Sequence, residues 1–230
     1  MRMKIIFLNT WNGKLKEGIS DFITEQSATA DVFCFQEVYD SSKVLFESLL
    51  PSFKSLYAHK AIDNDDFPQA MYIKKDLEVR SSRTLLNDIP EVGLGLYIEI
   101  KCQTGNIHIC NVHGMAFPGD KLDNAKRLEQ SRALIDFFRS LPGRKLIGGD
   151  FNILPDTESI RMFERNGYVD MIKKHNIQTT RNHFAWEKYP DSKQYYSDYA
   201  FVSPDVNVKD FVVPRNEVSD HLPLILDIET

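Results

Sequence analysis

The residues of this chain best suited to chemistry stand at the ends of apolar runs. Asn9 follows Lys4–Leu8, Gln36-Glu37 follows Val32–Phe35, His113 follows Ile107–Val112, and Asp150 with Asn152 follows Leu146–Gly149. Ser197-Asp198 precedes Tyr199–Val202, and Ser219-Asp220-His221 precedes Leu222–Leu226. Strand ends are rigid mounts from which side chains of distant segments converge. Taken singly, each residue has a plainer explanation. Asn9 is a turn residue, Glu37 a solvated strand end, Asp150 to Asn152 an Asx turn or helix cap, His113 a hydrogen-bonded structural imidazole and Asp220-His221 a loop pair. Taken together they are a different matter. The carboxylates Glu37, Asp150, Asp198 and Asp220, with two imidazoles and two carboxamides, supply oxygen ligands for a hard divalent cation and donors for a phosphoryl group. Two unit charges ~4 Å apart interact by about 4 kcal/mol at an effective dielectric of about 20, so such a set repels an anionic phosphoester unless a cation lies between them.

The elements that must position these residues follow from the apolar pattern. Lys4–Leu8 and Val32–Phe35 read as strands buried on both faces, with helices expected near Lys16–Gln26 and Ser41–Leu50. From Lys54 to Asn111 the strands Lys54–Ala58, Ala70–Ile73, Leu77–Arg83, Leu94–Ile100 and Ile107–Asn111 alternate with turn residues, which predicts a meander. Apolar residues at helical spacing predict a helix over Leu122–Leu141, ended by Pro142-Gly143. A strand Lys145–Gly148, a short helix near Glu158–Arg165, and strands near Tyr199–Val202, Val206–Val213 and Leu222–Ile228 complete the order. Strands outnumber helices, and two sheets packed face to face with helices outside satisfy this pattern. FLNTWN and IGGDFN each place carboxamides just beyond an apolar run, a hint of internal repetition.

The 230 residues, 42% hydrophobic and 27% charged, suit one domain over 1–230 and exclude disordered, collagen-like and coiled-coil readings. With 28 basic against 33 acidic residues the net charge is −5, so no broad cationic face is expected and any polyanionic substrate must be met locally. Cys34, Cys102 and Cys110 show no metal-ligand or redox spacing and read as structural thiols. The first apolar run is short for a secretory signal and no run nears the ~18 residues of a membrane span, so a cytoplasmic, monomeric protein is expected.

The order and wording of these motifs resemble the endonuclease/exonuclease/phosphatase superfamily with the DNase I-like fold. The resemblance runs through KIIFLNTWNG, CFQEV, NVHG, GGDFN, SDYAFVS and VSDHLPL and so covers essentially the whole chain; GGDFN with SDHLP is its specific part. It implies an α+β, four-layer αββα sandwich, two packed mixed sheets flanked by helices, with Mg²⁺ or Mn²⁺ assisting phosphoester hydrolysis. Carried over by position, Glu37 and Asn9 resemble the principal metal site, with Asp220 as a further ligand directly or through water. Asn12 is the alternative should the register of the first strand differ by three. Asp150 and Asn152 resemble the pair that orients the attacking water and binds a phosphate oxygen, His221 the catalytic histidine, Asp198 the carboxylate that fixes its tautomer, and His113 the second histidine. Either Asp150 or His221 is the base.

The substrate is less defined. NVHGMAFPGDKLDNAKRLEQ departs from the NxxVPN segment of AP endonucleases and is more similar to the nuclease, sphingomyelinase and phosphatase branches. Arg127 and Gln130, one helical turn apart, could reach substrate or form a solvated face. Lys14, Lys16, Arg181 and Lys188 are scattered. Trp186, Tyr189, Tyr195 and Tyr196 form an aromatic stretch suited to packing or to stacking on bases or sugars. The expectation is a phosphodiesterase whose substrate is nucleic acid, a phospholipid head group or a small phosphorylated metabolite. The alternatives are a phosphomonoesterase and a non-catalytic binding module of the same fold.

Overall fold

A computed structural model describes residues 2–62, 65–187 and 190–230. Lys188 and Tyr189 of the aromatic stretch lie outside the described residues. The strands are β1 (Arg2–Asn9), β2 (Val32–Gln36), β3 (Phe53–Ala58), β4 (Ala61–Ile62), β5 (Asp65–Asp66), β6 (Gln69–Lys74), β7 (Val79–Leu85), β8 (Leu94–Cys102), β9 (Gly105–His113), β10 (Arg144–Asp150), β11 (Val169–Asp170), β12 (Asp198–Val202), β13 (Asn207–Val212) and β14 (Leu224–Glu229). The helices are α1 (Lys16–Ser27), α2 (Asp40–Leu49), α3 (Ala125–Arg139), α4 (Glu158–Arg165), α5 (Met171–Lys174) and α6 (His183–Glu187).

Two mixed six-stranded sheets pack face to face, in the orders β13-β14-β1-β2-β6-β3 and β11-β12-β10-β9-β8-β7. The period-two alternation of β1 explains the layering. Met3, Ile5 and Phe7 join the core between the sheets, while Ile6 and Leu8 pack beneath Ile19, Phe22 and Ile23 of α1 and Phe46 of α2. On the far side Leu134, Ile135 and Phe138 of α3 and Ile160 and Phe163 of α4 cover the second sheet. Helix, sheet, sheet and helix therefore form four layers of open sheets. Cys34 and Cys110 are fully buried in the intersheet core, as structural thiols would be.

The two sheets share one plan. In the first, β14, β1, β2 and β6 pair antiparallel, parallel and antiparallel; in the second, β12, β10, β9 and β8 repeat that sequence. Asn9 at the end of β1 is paired with Gln36 of β2, and Asp150 at the equivalent end of β10 with His113 of β9. Asn9 of FLNTWN and Asp150 of IGGDFN thus hold matching places in the two halves, and the carboxamide of the second motif, Asn152, lies two residues beyond. Gly148 lets the halves meet, since a Cβ there would lie 2.9 Å from the Phe7 ring.

Two expectations change. The segment Lys54 to Asn111 is not a single meander: β3 and β6 extend the first sheet, and only β7, β8 and β9 run consecutively in the second. Alternation marks a strand but not its hydrogen-bonding neighbour, which non-local packing decides. Helix α3 begins at Ala125 rather than Leu122, because the Asn124 side chain accepts the Arg127 backbone N–H at 2.9 Å and caps the helix there. Leu122 is left exposed.

Candidate active site

Asn9, Glu37, Asp150, Asp198, Asp220 and His221 come together where equivalent ends of the two sheets meet. The Asn9 Nδ2 donates to Glu37 Oε1 at 3.0 Å and to Asp150 Oδ2 at 2.9 Å. The other oxygen of Asp150 accepts the Asn152 backbone N–H at 3.0 Å and the Ser197 hydroxyl at 2.5 Å. The His221 Nδ1 lies 2.9 and 3.0 Å from the two oxygens of Asp198, so that nitrogen carries the proton and Nε2 faces the cluster. This Nε2 is 3.7 Å from Asp150 Oδ2 and 3.9 Å from Asp220 Oδ2. His113 lies beside Asp150 across the β9–β10 pairing, its ring edge-on to Phe67.

At β1 it is the Asn9 side chain that reaches the Glu37 and Asp150 carboxylates. The Asn12 Oδ1 instead accepts the Ser42 hydroxyl at 3.0 Å, beside α2. Glu37 has φ +57° and Asn152 φ +54°, left-handed backbone that aims each side chain sharply off its strand. Such a conformation at a glutamate costs about 1 kcal/mol or more and clusters at functional positions.

Electrostatics separate the roles. Burial would raise the Asp150 carboxyl, but His221, Lys121 and His113 together with the Ser197 hydroxyl hold it well below the usual range. Glu37 is raised, first by burial, with Asp220 and Asp150 adding to the effect and Asn9 and His221 opposing it. Burial also pushes Asp198 up against the pull of His221. For His221, burial favours the neutral ring, yet Asp198, aided by Asp220 and Asp150, carries it above its ordinary value. Ligand-capable atoms of Asp150, Asp198 and His221 lie within 4.8 Å of one another. Both Asp198 oxygens are committed to His221 and both Asp150 oxygens to Asn9, Ser197 and the Asn152 amide, so the carboxylates best suited to a hard cation are Glu37 and Asp220 beside Asn9. The donor set fits a divalent cation, because buried carboxylates crowd there and one of them is already pushed towards neutrality.

Arg127 stands apart from the cluster, and its expected contact with substrate gives way to a different role. Its side chain is fully buried, and the guanidinium donates to Pro118 O and Leu122 O at 2.6 Å and to Asp120 at 3.2 Å, clasping the loop after β9. Gln130 shares this work, its amide oxygen accepting the backbone N–H of Gly93 and Met115.

The residue patterns gave no role to Lys121 or Ser197. The buried Lys121 ammonium donates to the Ser197 hydroxyl at 2.8 Å, which passes its own hydrogen to Asp150. Arg181, one of the scattered cations, pairs with Asp220 Oδ2 at 2.9 Å.

Fold and site together define a two-sheet αββα scaffold that gathers buried carboxylates, a carboxamide and an imidazole where the sheets meet. The sequence model of the Endonuclease/Exonuclease/phosphatase family matches residues 6–221, and the chain belongs to that family. Its members are generally metal-dependent phosphoester hydrolases. No curated protein matches this chain. The fold is similar to that of a Bacteroides vulgatus endonuclease/exonuclease/phosphatase, at 16% identity and TM-score 0.78, covering 100% of this chain and 99% of that one. It is also similar to the mannosyl-6-phosphatase Bt3783 of Bacteroides thetaiotaomicron, at 18% identity and TM-score 0.76, covering 99% and 100%. The catalytic domain of human Nocturnin, with bound sulfate, matches at 17% identity and TM-score 0.68, covering 99% and 93%. Among the described residues no helix is long and apolar enough to cross a membrane.

Proposed function

We propose that this protein is a Mg²⁺- or Mn²⁺-dependent phosphodiesterase. The observation that carries this reading is the convergence of the Asp198–His221 pair on Asp150, Asn9 and Glu37 from both sheets. Glu37 and Asn9 hold the cation, with Asp220 as a further ligand. When bound, the cation neutralises charge on the phosphoryl oxygens and offsets the carboxylates that would repel substrate. Asp150, kept ionised and fixed by Asn9, Ser197 and the Asn152 amide, orients the attacking water and takes its proton. His221, whose imidazolium Asp198 favours, donates from Nε2 to the oxygen on which charge develops. Asn152 binds a phosphate oxygen, and His113 adds a second imidazole beside it.

A diester suits the site better than a monoester for a reason of charge. Arg181 is already paired with Asp220, and Lys121 is spent on Ser197. A diester brings one negative charge, whereas a monoester brings about −1.5 to −2 at neutral pH. The test is a metal-supplemented assay of bis-p-nitrophenyl phosphate against p-nitrophenyl phosphate, with and without EDTA. EDTA-sensitive hydrolysis of the diester is expected, and loss of at least ~10²-fold in kcat in Glu37→Ala or Asp150→Ala. Full activity in Glu37→Ala refutes the metal assignment, and release of phosphate from the monoester alone makes the protein a phosphomonoesterase.

A further inference from the structure

Each carboxylate best suited to a cation has one of its two oxygens already held. Glu37 Oε1 accepts the Asn9 amide at 3.0 Å, and Asp220 Oδ2 accepts the Arg181 guanidinium at 2.9 Å. The other oxygen of Asp220 takes a longer contact, 3.3 Å from the Ser219 hydroxyl, and is the freer of the two. Such holding bears on which ion the site takes. Ca²⁺ gathers about six to eight oxygens in flexible geometry and accepts both oxygens of one carboxylate, whereas Mg²⁺ demands a near-octahedral shell, keeps several waters and is bound through one or two carboxylates. A carboxylate with one oxygen committed offers a cation the other alone, which suits the smaller ion.

The two holders stand differently. Asn9 also holds Asp150, so its loss disturbs the whole cluster. Arg181 reaches the cluster through Asp220, from a neighbouring segment whose backbone is fixed independently of the ion pair. Arg181 forms an antiparallel bridge with His221, in which Leu222 N donates to Thr180 O at 2.8 Å and Asn182 N to Asp220 O at 3.3 Å. The Asn182 side chain adds a bond to Ser219 O at 2.6 Å. No change at the 181 side chain removes these contacts. The ion pair itself is largely buried, at 15% and 12% exposure, so salt screens it little. On its other side Arg181 borders a pocket of about 370 Å³ lined by Trp186 and Tyr195, whereas Tyr196 packs on the core and its hydroxyl donates to Ile177 O. A shorter side chain at 181 therefore opens into this pocket rather than leaving a sealed void.

We infer that Arg181 is a positioning residue that confines Asp220 to one oxygen at the cation site and thereby selects Mg²⁺ against Ca²⁺. The inference rests on the metal-dependent reading and deepens it.

The test is calorimetric binding of MgCl₂ and of CaCl₂, each alone and without substrate, to wild type, Arg181→Met and Arg181→Lys. Arg181→Met frees both Asp220 oxygens, so Ca²⁺ affinity is expected to rise ~10-fold while Mg²⁺ affinity changes by less than ~3-fold. Arg181→Lys keeps a cation on the carboxylate and is expected to hold the wild-type ratio within ~3-fold. Should Arg181→Met fail to fold, Arg181→Ala is the second variant, with the same shift expected. Equal gains for both ions overturn the proposal, because the guanidinium then acts only as a nearby charge. Loss of both affinities, as for a residue that merely braces the loop, or an unmoved ratio overturns it as well. A wild type that binds neither ion ends the proposal and the cation site together. The expected ratios without turnover of bis-p-nitrophenyl phosphate sink the hydrolase reading and leave the proposal standing.

Discussion

Asn9 and Asp150, 141 positions apart, meet through a 2.9 Å hydrogen bond that joins the end of β1 to the equivalent end of β10. The same amide group holds Glu37, so one carboxamide keeps two carboxylates of opposite sheets in register. Asn9→Ala removes both bonds and leaves the carboxylates facing each other. A loss of about 2 kcal/mol is expected, read as a lower urea midpoint at unchanged slope, together with a fall in kcat.

Glu37 should act on stability in the direction opposite to its value in catalysis. Its folded carboxyl is raised above the ordinary glutamate range, so the folded state binds more protons there and stability falls as pH rises through that window. At neutral pH the metal-free Glu37→Gln variant is expected to melt above wild type, with the gap closing towards acid pH. Added Mg²⁺ should raise the Tm of wild type and not of the variant. A variant less stable than wild type at neutral pH contradicts the account.

Asp198 sets the charge of His221. The raised imidazole contributes stability that is complete below the ordinary histidine value and lost as pH rises through the folded one. Asp198→Asn removes the negative charge opposite Nδ1, so burial then dominates and the His221 titration shifts to lower pH. NMR titration of the ring protons reads this directly, and kcat should drop at least ~10²-fold.

Lys121 is lowered to about 8 by burial and by Arg181, against the pull of Asp150, Asp198 and Asp220. Between that value and the ordinary ~10.4 the unfolded chain binds the extra proton, so this group makes stability rise with pH. Activity should move the other way, declining as pH rises through about 8 and Ser197 loses its cationic donor. Lys121→Met is expected to lose ~10-fold in kcat and to flatten that limb of the pH profile.

Arg127 is a loop anchor. Arg127→Lys keeps the charge but not the fork that reaches Pro118 O, Leu122 O and Asp120 together, so it should not restore what Arg127→Ala removes. Both variants are expected to melt lower, by about 3 kcal/mol in the alanine case, with faster hydrogen exchange over residues 115–122.

The longer strands were legible because each carries its own local signal, either alternation or a doubly buried apolar run, which the two-residue strands β4, β5 and β11 are too short to show. The polar residues beyond β1, β2, β9 and β10 stood out for the same reason, since a carboxylate or carboxamide ending such a run breaks its pattern. Short-range chemistry of this kind identified Glu37, Asp150 and His221 as candidates. Tertiary structure alone decided their partners. Sheet membership of β3 and β6 depends on packing against segments far away in sequence, as does the choice of Asn9 over Asn12. The buried course of Arg127, the Lys121 contact to Ser197 and the split between Tyr195 and Tyr196 were equally invisible, because a side chain's role depends on which neighbours desolvate it and which atoms it must then satisfy.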